Sequence, residues 1–304
     1  MSKLAKYQGI IPAFYACYDE EGNISPECIQ QLAKHYLEVG VKGLYVGGSS
    51  GECIYQNVEE RKLVLENVMA AVGGKMTIIA HVAAPSTRDS VELAKHAASL
   101  GVDALAAIPP IYFRLPEASI EAYWNAMIEA GQTDFIIYNI PQTTGYALST
   151  GLYKKMLENP HVIGVKNSSM PVLDILTFCL EANREVIVFN GPDEQFIGGR
   201  AMGAQGGIGG TYGVMPELFL AADAAFRNDN LVLAQEIQMK ITEIIFTMVQ
   251  CQGNLYDVMK TILKREGLNI GHVRGPLAQV TEADTPIIDK AHQMIQDARA
   301  KYCN

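Results

Sequence analysis

Lys166 follows the apolar run Val162-Ile163-Gly164-Val165, where a buried strand would be expected to stay apolar. A lysine carried out of water loses the hydration of its charged form, so its pKa falls. That is a liability in a structural strand and an asset in an amine nucleophile. The structural alternative is an ion pair with Asp193 or Glu194, which follow the next apolar run, "VIVFNGPDE". Tyr138 ends the preceding run, "FIIYNIP", and its hydroxyl is expected within reach of Lys166. Its alternative is a buried ring with the hydroxyl on a carbonyl. Ser49 and Ser50 lie among Gly47, Gly48 and Gly51, offering hydroxyls and bare backbone N–H groups. Such a turn suits a carboxylate or a phosphate, and equally the cap of the helix that follows. Glu52 reads as structural or functional alike. Combined, these groups let an amine attack a ketone while a tyrosine moves protons and a serine pair fixes an adjacent carboxylate. The resulting protonated Schiff base is an electron sink, which is aldolase chemistry on a 2-oxo acid. No cofactor is required, and no metal-ligand spacing is present. His81 and His96 read as ordinary polar residues.

Such residues need a frame that gathers strand tips. Short apolar runs alternate with amphipathic helical stretches eight times, from "GIIPAF" with "SPECIQQLAKHYLEVG" to "GGIGGTYG" with "PELFLAADAAFRN". Ser25-Pro26 and Gly40 punctuate the first helix. Runs that are apolar throughout suit parallel strands buried on both faces. Eight such units predict a (β/α)8 TIM barrel over residues 1–228, with the chemistry at the carboxyl ends of the strands. Residues 229–304 carry only helical patterns and form a C-terminal helical extension packed on the barrel. An open doubly wound sheet is the alternative, but no GxGxxG follows the first strand.

Composition narrows the partners. The 304 residues carry 33 acidic and 24 basic side chains, a net charge of −9, with no basic cluster. Nucleic acid and anionic membranes are therefore unexpected partners, and a small-molecule substrate is expected. No apolar run reaches bilayer length, and the N-terminus lacks a signal peptide's apolar core. Six scattered cysteines without CxxC spacing predict reduced thiols in a cytoplasmic protein.

The segments "GGSSGE", "YNIP", "GVKNSS" and "NGPDE…GGIGGTYG", in that order, resemble the N-acetylneuraminate lyase / dihydrodipicolinate synthase family. The resemblance covers nearly the whole chain. It implies a homotetrameric class I aldolase in which Lys166 forms the Schiff base with pyruvate and Tyr138 transfers protons. Ser49 and Ser50 would hold the pyruvate carboxylate. Tyr112, in "PPIYF", matches a tyrosine that serves the relay or a neighbouring subunit's site, and equally suits an interface aromatic. Synthases of the family place an arginine five residues after the strand-five tyrosine; here Thr143 stands there. A hydroxyl cannot replace a bidentate guanidinium grip on a carboxylate. The resemblance is therefore closest to the lyases, which cleave N-acetylneuraminate to N-acetylmannosamine and pyruvate. In that branch Ser168, Gly191, Asp193, Glu194 and Gly210 match the sugar-binding positions. Pro192 replaces an aromatic residue, Gly210 a serine and Ser50 a threonine. These departures leave a lyase or dehydratase of another 2-oxo-3-deoxy sugar acid as the second expectation. A non-catalytic binder on the same barrel comes last, because Lys166 and Tyr138 are both present.

Overall fold

A computed structural model describes residues 2–303. Eight short parallel strands run β1 (Gly9–Pro12), β2 (Gly43–Val46), β3 (Thr77–His81), β4 (Ala104–Ala107), β5 (Asp134–Asn139), β6 (Val162–Asn167), β7 (Ile187–Asn190) and β8 (Gly206–Gly209). They pair in the order β1-β8-β7-β6-β5-β4-β3-β2. The ring closes where Ala13 bridges Tyr45 in parallel and the Phe14 N–H donates to the Tyr45 carbonyl at 2.9 Å. Closure rules out the open doubly wound sheet. Almost every strand residue is buried, as the uniformly apolar runs require.

Between strands lie α1 (Pro26–Val39), α2 (Val58–Val72), α3 (Thr87–Ser99), α4 (Glu117–Gly131), the single turn α5 (Pro141–Thr144), α6 (Thr150–Met156), α7 (Leu173–Glu181) and α8 (Phe196–Ala201), and α9 (Pro216–Arg227) follows β8. Their ends follow local chemistry. Ser25 Oγ accepts the Cys28 N–H at 3.3 Å, Pro26 occupies the first turn of α1, and Gly40 ends it at φ 86°. Asn57 and Glu60 form a reciprocal capping box on α2. Local pattern did not reveal α5, a turn inserted directly after the tip of β5.

The chain ends in α10 (Leu231–Met248), α11 (Leu255–Arg265) and α12 (Thr285–Tyr302). Ile237, Ile241 and Ile244 of α10, Val258 and Ile262 of α11, and Ile288 and Ile295 of α12 join the same apolar cluster that fills the space between strands and helices. A second, smaller cluster fills the barrel interior with Tyr7, Ile11, Tyr45, Ile136, Tyr138 and Phe189. The inner layer takes polar groups at both ends: the Tyr7 hydroxyl donates to Asp134 Oδ2 at 2.7 Å where β5 begins, and Lys166 stands near the carboxyl end of β6.

Candidate active site

Lys166 and Tyr138 are in register on the neighbouring strands β6 and β5, so both side chains point into the barrel mouth. Lys166 is 4% exposed. Its Nζ lies 4.0 Å from the Tyr138 ring centroid and 4.3 Å from that of Tyr45. It makes no ion pair among the described residues, so the structural alternative of a salt bridge to Asp193 or Glu194 is not what the fold builds. Burial pulls the ammonium down to about 7, partly opposed by the nearby Asp193 charge. Near neutral pH much of the amine is therefore uncharged and nucleophilic.

The Tyr138 hydroxyl is pushed up to about 12 by burial, while the Ser168 and Ser49 hydroxyls beside it draw it back. The hydroxyl therefore keeps its proton near neutral pH. Ser49, Ser50 and Gly51 form one tight turn at the tip of β2. Its hydrogen bonds run from Gly51 N–H to Gly48 O at 3.0 Å and from Glu52 N–H to Ser49 O at 3.0 Å. The Ser49 and Ser50 N–H groups have no acceptor among the described residues, which suits an anion.

Lys166, Tyr138, Ser49, Ser50, Ser168, Gly191, Asp193, Glu194 and Gly210 all line one cavity of about 350 Å³. Gly191 is needed for close approach, since a Cβ there would stand 1.9 Å from Ser168 Oγ. A Cβ on Gly210 would stand 3.0 Å from Ser50 Oγ, which puts Gly210 at the serine side of the cavity. Asp193 is buried, and its Oδ2 accepts from Thr211 N at 2.7 Å and Thr211 Oγ1 at 2.6 Å. Its Oδ1 has no partner. Burial raises the carboxyl to about 7 against those two bonds. Glu194 is exposed at the rim. Tyr112 is the exception. It is 92% exposed on the loop after β4, edge-on to Phe113, and it does not line this chain's cavity.

Several neighbours were not anticipated. Tyr45, inside the apolar β2, carries no sequence signal that separates it from a core ring. Thr211, which holds Asp193, follows the glycine-rich β8. Tyr256, from α11, lines the cavity and has its hydroxyl at Ser50; burial raises its pKa. Asn139 and Asn167 follow Tyr138 and Lys166 and face outward, where Asn139 Nδ2 donates to Asn167 Oδ1 at 2.7 Å. Asn167 Nδ2 donates to Ser169 Oγ at 2.8 Å, and Ser169 Oγ donates to Asp174 Oδ2 at 2.6 Å. This chain of bonds locks the two strand tips that carry the lysine and the tyrosine. His81 is likewise buried, with Nδ1 on Gly47 O at 2.8 Å and Nε2 accepting the Ile108 N–H at 3.3 Å. Burial and Arg61 hold it neutral, down to about 3.

The sequence profile of the dihydrodipicolinate synthetase family matches residues 6–295. This chain belongs to that family. Among its relatives, the N-acetylneuraminate lyase of Mediterraneibacter gnavus is 58% identical over 99% of this chain and 96% of its own length. The N-acetylneuraminate lyase of Rhizobium meliloti is 34% identical over 94% of each. A solved structure of a catalytic lysine mutant of Ruminococcus gnavus sialic acid aldolase superposes with a TM-score of 0.98, at 58% identity, covering 99% of this chain and all of that one. Thr143 lies in α5 and lines a neighbouring cavity with Arg61 and Tyr123, so nothing at that position offers a cation to the Lys166 cavity.

Proposed function

We propose that this chain is a class I aldolase that cleaves N-acetylneuraminate to N-acetylmannosamine and pyruvate through a Schiff base on Lys166. One observation carries the reading: a buried amine held near neutrality stands in register beside a protonated tyrosine, in a cavity edged by a serine pair. The near-full-length likeness to lyases of that name supports the choice of substrate.

The uncharged Lys166 amine adds to the C2 ketone of the open-chain sugar acid while Ser49 and Ser50 hold its carboxylate. Tyr138 gives its proton to the departing hydroxyl, which leaves as water, and the chain is left with a protonated Schiff base and a phenolate. The phenolate then takes the C4 hydroxyl proton as the C3–C4 bond breaks. N-acetylmannosamine leaves as the aldehyde, and the bond's electron pair flows into the enamine. Tyr138 next protonates that enamine at C3. Water adds to the new Schiff base, returns the proton to Tyr138, and releases pyruvate and the free amine. The iminium supplies the electron sink, so no metal or cofactor takes part in these steps.

Ser168, Gly191, Asp193, Glu194 and Gly210 form the sugar half of this reading, with the exposed Glu194 carboxylate accepting from the hydroxyl chain. Tyr112 serves a neighbouring subunit's cavity in a homotetramer. The six unpaired thiols suit the cytoplasm. Pro192 and Gly210 favour a second reading, the cleavage of a different 2-oxo-3-deoxy sugar acid. A substrate panel read by pyruvate release separates the two. N-acetylneuraminate should give the highest kcat/KM, and Glu194→Gln should lower it about 10- to 150-fold, the worth of one charge-assisted hydrogen bond. Turnover of a shorter oxo acid with none of N-acetylneuraminate would reject the first reading.

A further inference from the structure

Glu52 follows the serine turn directly and takes a left-handed backbone, φ 51° and ψ 33°, that a residue with a side chain seldom adopts. Its carboxylate is wholly buried. Oε1 accepts from Lys260 Nζ at 2.7 Å, and Oε2 accepts from the Arg274 N–H at 2.9 Å and from the Tyr18 hydroxyl at 3.4 Å. The Lys260 side chain is also wholly buried; Nζ donates again to His272 O at 3.1 Å and sits 4.7 Å from the Tyr18 ring centroid. The Arg274 guanidinium covers that ring at 4.6 Å and bonds Glu60 Oε1 at 2.8 Å, at the start of α2. The cluster therefore joins five parts of the chain: the segment after β1, the serine turn, the start of α2, α11 and the irregular 272–274 segment. α11 meets the serine turn twice, through Lys260 at Glu52 and, one turn earlier, through Tyr256 at Ser50.

A buried ion pair is weak support for stability, because desolvating two charges offsets most of their attraction. It is strong support for one geometry, since each partner fixes the other where water cannot. We infer that Glu52 and Lys260 are a positioning pair: through them the C-terminal extension holds the serine turn in the conformation that grips the carboxylate of the 2-oxo acid. Neither side chain lines the Lys166 cavity, so their effect passes through Ser49 and Ser50. The inference rests on the proposed role of those serines.

Borohydride trapping at Lys166, followed by intact mass, gives a concentration dependence for pyruvate and, separately, for acetone, a ketone without a carboxylate. The variants are Glu52→Gln, Lys260→Met and the double variant, which removes both charges and so avoids a lone buried ion that could prevent folding. The half-saturating pyruvate concentration should rise about tenfold or more in each variant that folds, as expected when a binding group is displaced by a fraction of an ångström. The trapping rate at saturation, and acetone trapping at every concentration, should stay as in the unmodified protein. An unchanged half-saturation in the double variant overturns the inference, as does equal loss with both ketones. An unmodified protein that traps acetone and pyruvate with the same concentration dependence instead rejects the role of the serines, and the positioning role falls with it.

Discussion

At the residue scale, Lys166 and Asp193 share one buried mouth, and each charge favours the other. The amine must be neutral to attack, so trapping of pyruvate should rise about tenfold per pH unit below about pH 7 and level off above it. Ionised Asp193 favours the ammonium and thus raises the Lys166 pKa. Asp193→Asn keeps an oxygen for Thr211 and removes that charge, so the midpoint of the trapping profile should move to lower pH. A midpoint that stays or moves to higher pH would show that the carboxylate does not act on the lysine. Tyr138→Phe removes one hydroxyl from a ring that stays packed against Tyr45. Turnover should fall by about 10²–10⁴ with the melting temperature little changed, and near-normal turnover would remove Tyr138 from the proton path. Lys166 and Tyr138 were legible in the sequence because each breaks or ends an apolar run. Tyr45 was not, because a tyrosine inside such a run looks like any buried ring. Its position 4.3 Å from Nζ depends on the pairing of strands far apart in sequence.

At the element scale, seven strands were legible from uniform apolarity, the glycine-rich eighth less so. The helices, apart from the turn α5, were legible from amphipathic spacing, with Ser25-Pro26 and Gly40 punctuating α1; all of these are local signals. The turns that shape the mouth were less so. Asn139 and Asn167 occupy the outward positions that follow Tyr138 and Lys166, and the doublets "YN" and "KN" were visible without their hydrogen bond being so. The placement of Lys166 also depends on Gly164. The β5–β6 register slips between Phe135 and Ile136, and Gly164 sits so close to β7 that a Cβ would stand 1.8 Å from the Ile187 carbonyl oxygen. Because backbone must move to admit a methyl group there, Gly164→Ala should cost about 1–3 kcal/mol or more of stability. Urea denaturation reads the loss, and trapping at Lys166 should weaken with it. An alanine variant with an unchanged midpoint and normal trapping would show that β6 is not held so tightly.

At the scale of the whole molecule, the helical extension was legible as helix-only pattern, whereas its part in the cavity was not. Tyr256 and Lys260 reach the serine turn from more than 200 residues further along the chain, and no local spacing encodes such a meeting. Tyr112, expected in the relay, at a neighbouring subunit's site or in an interface, is left in solvent by this single chain. Everything else converges on one claim, that N-acetylneuraminate is cleaved while bound covalently to Lys166. The most direct measurement incubates the protein with N-acetylneuraminate, reduces with borohydride, and maps the modified peptide by mass spectrometry. One pyruvate-derived adduct per chain should appear on Lys166, with free N-acetylmannosamine in solution, and Lys166→Ala should show neither. An adduct on another residue, or cleavage that persists in Lys166→Ala, would contradict the account.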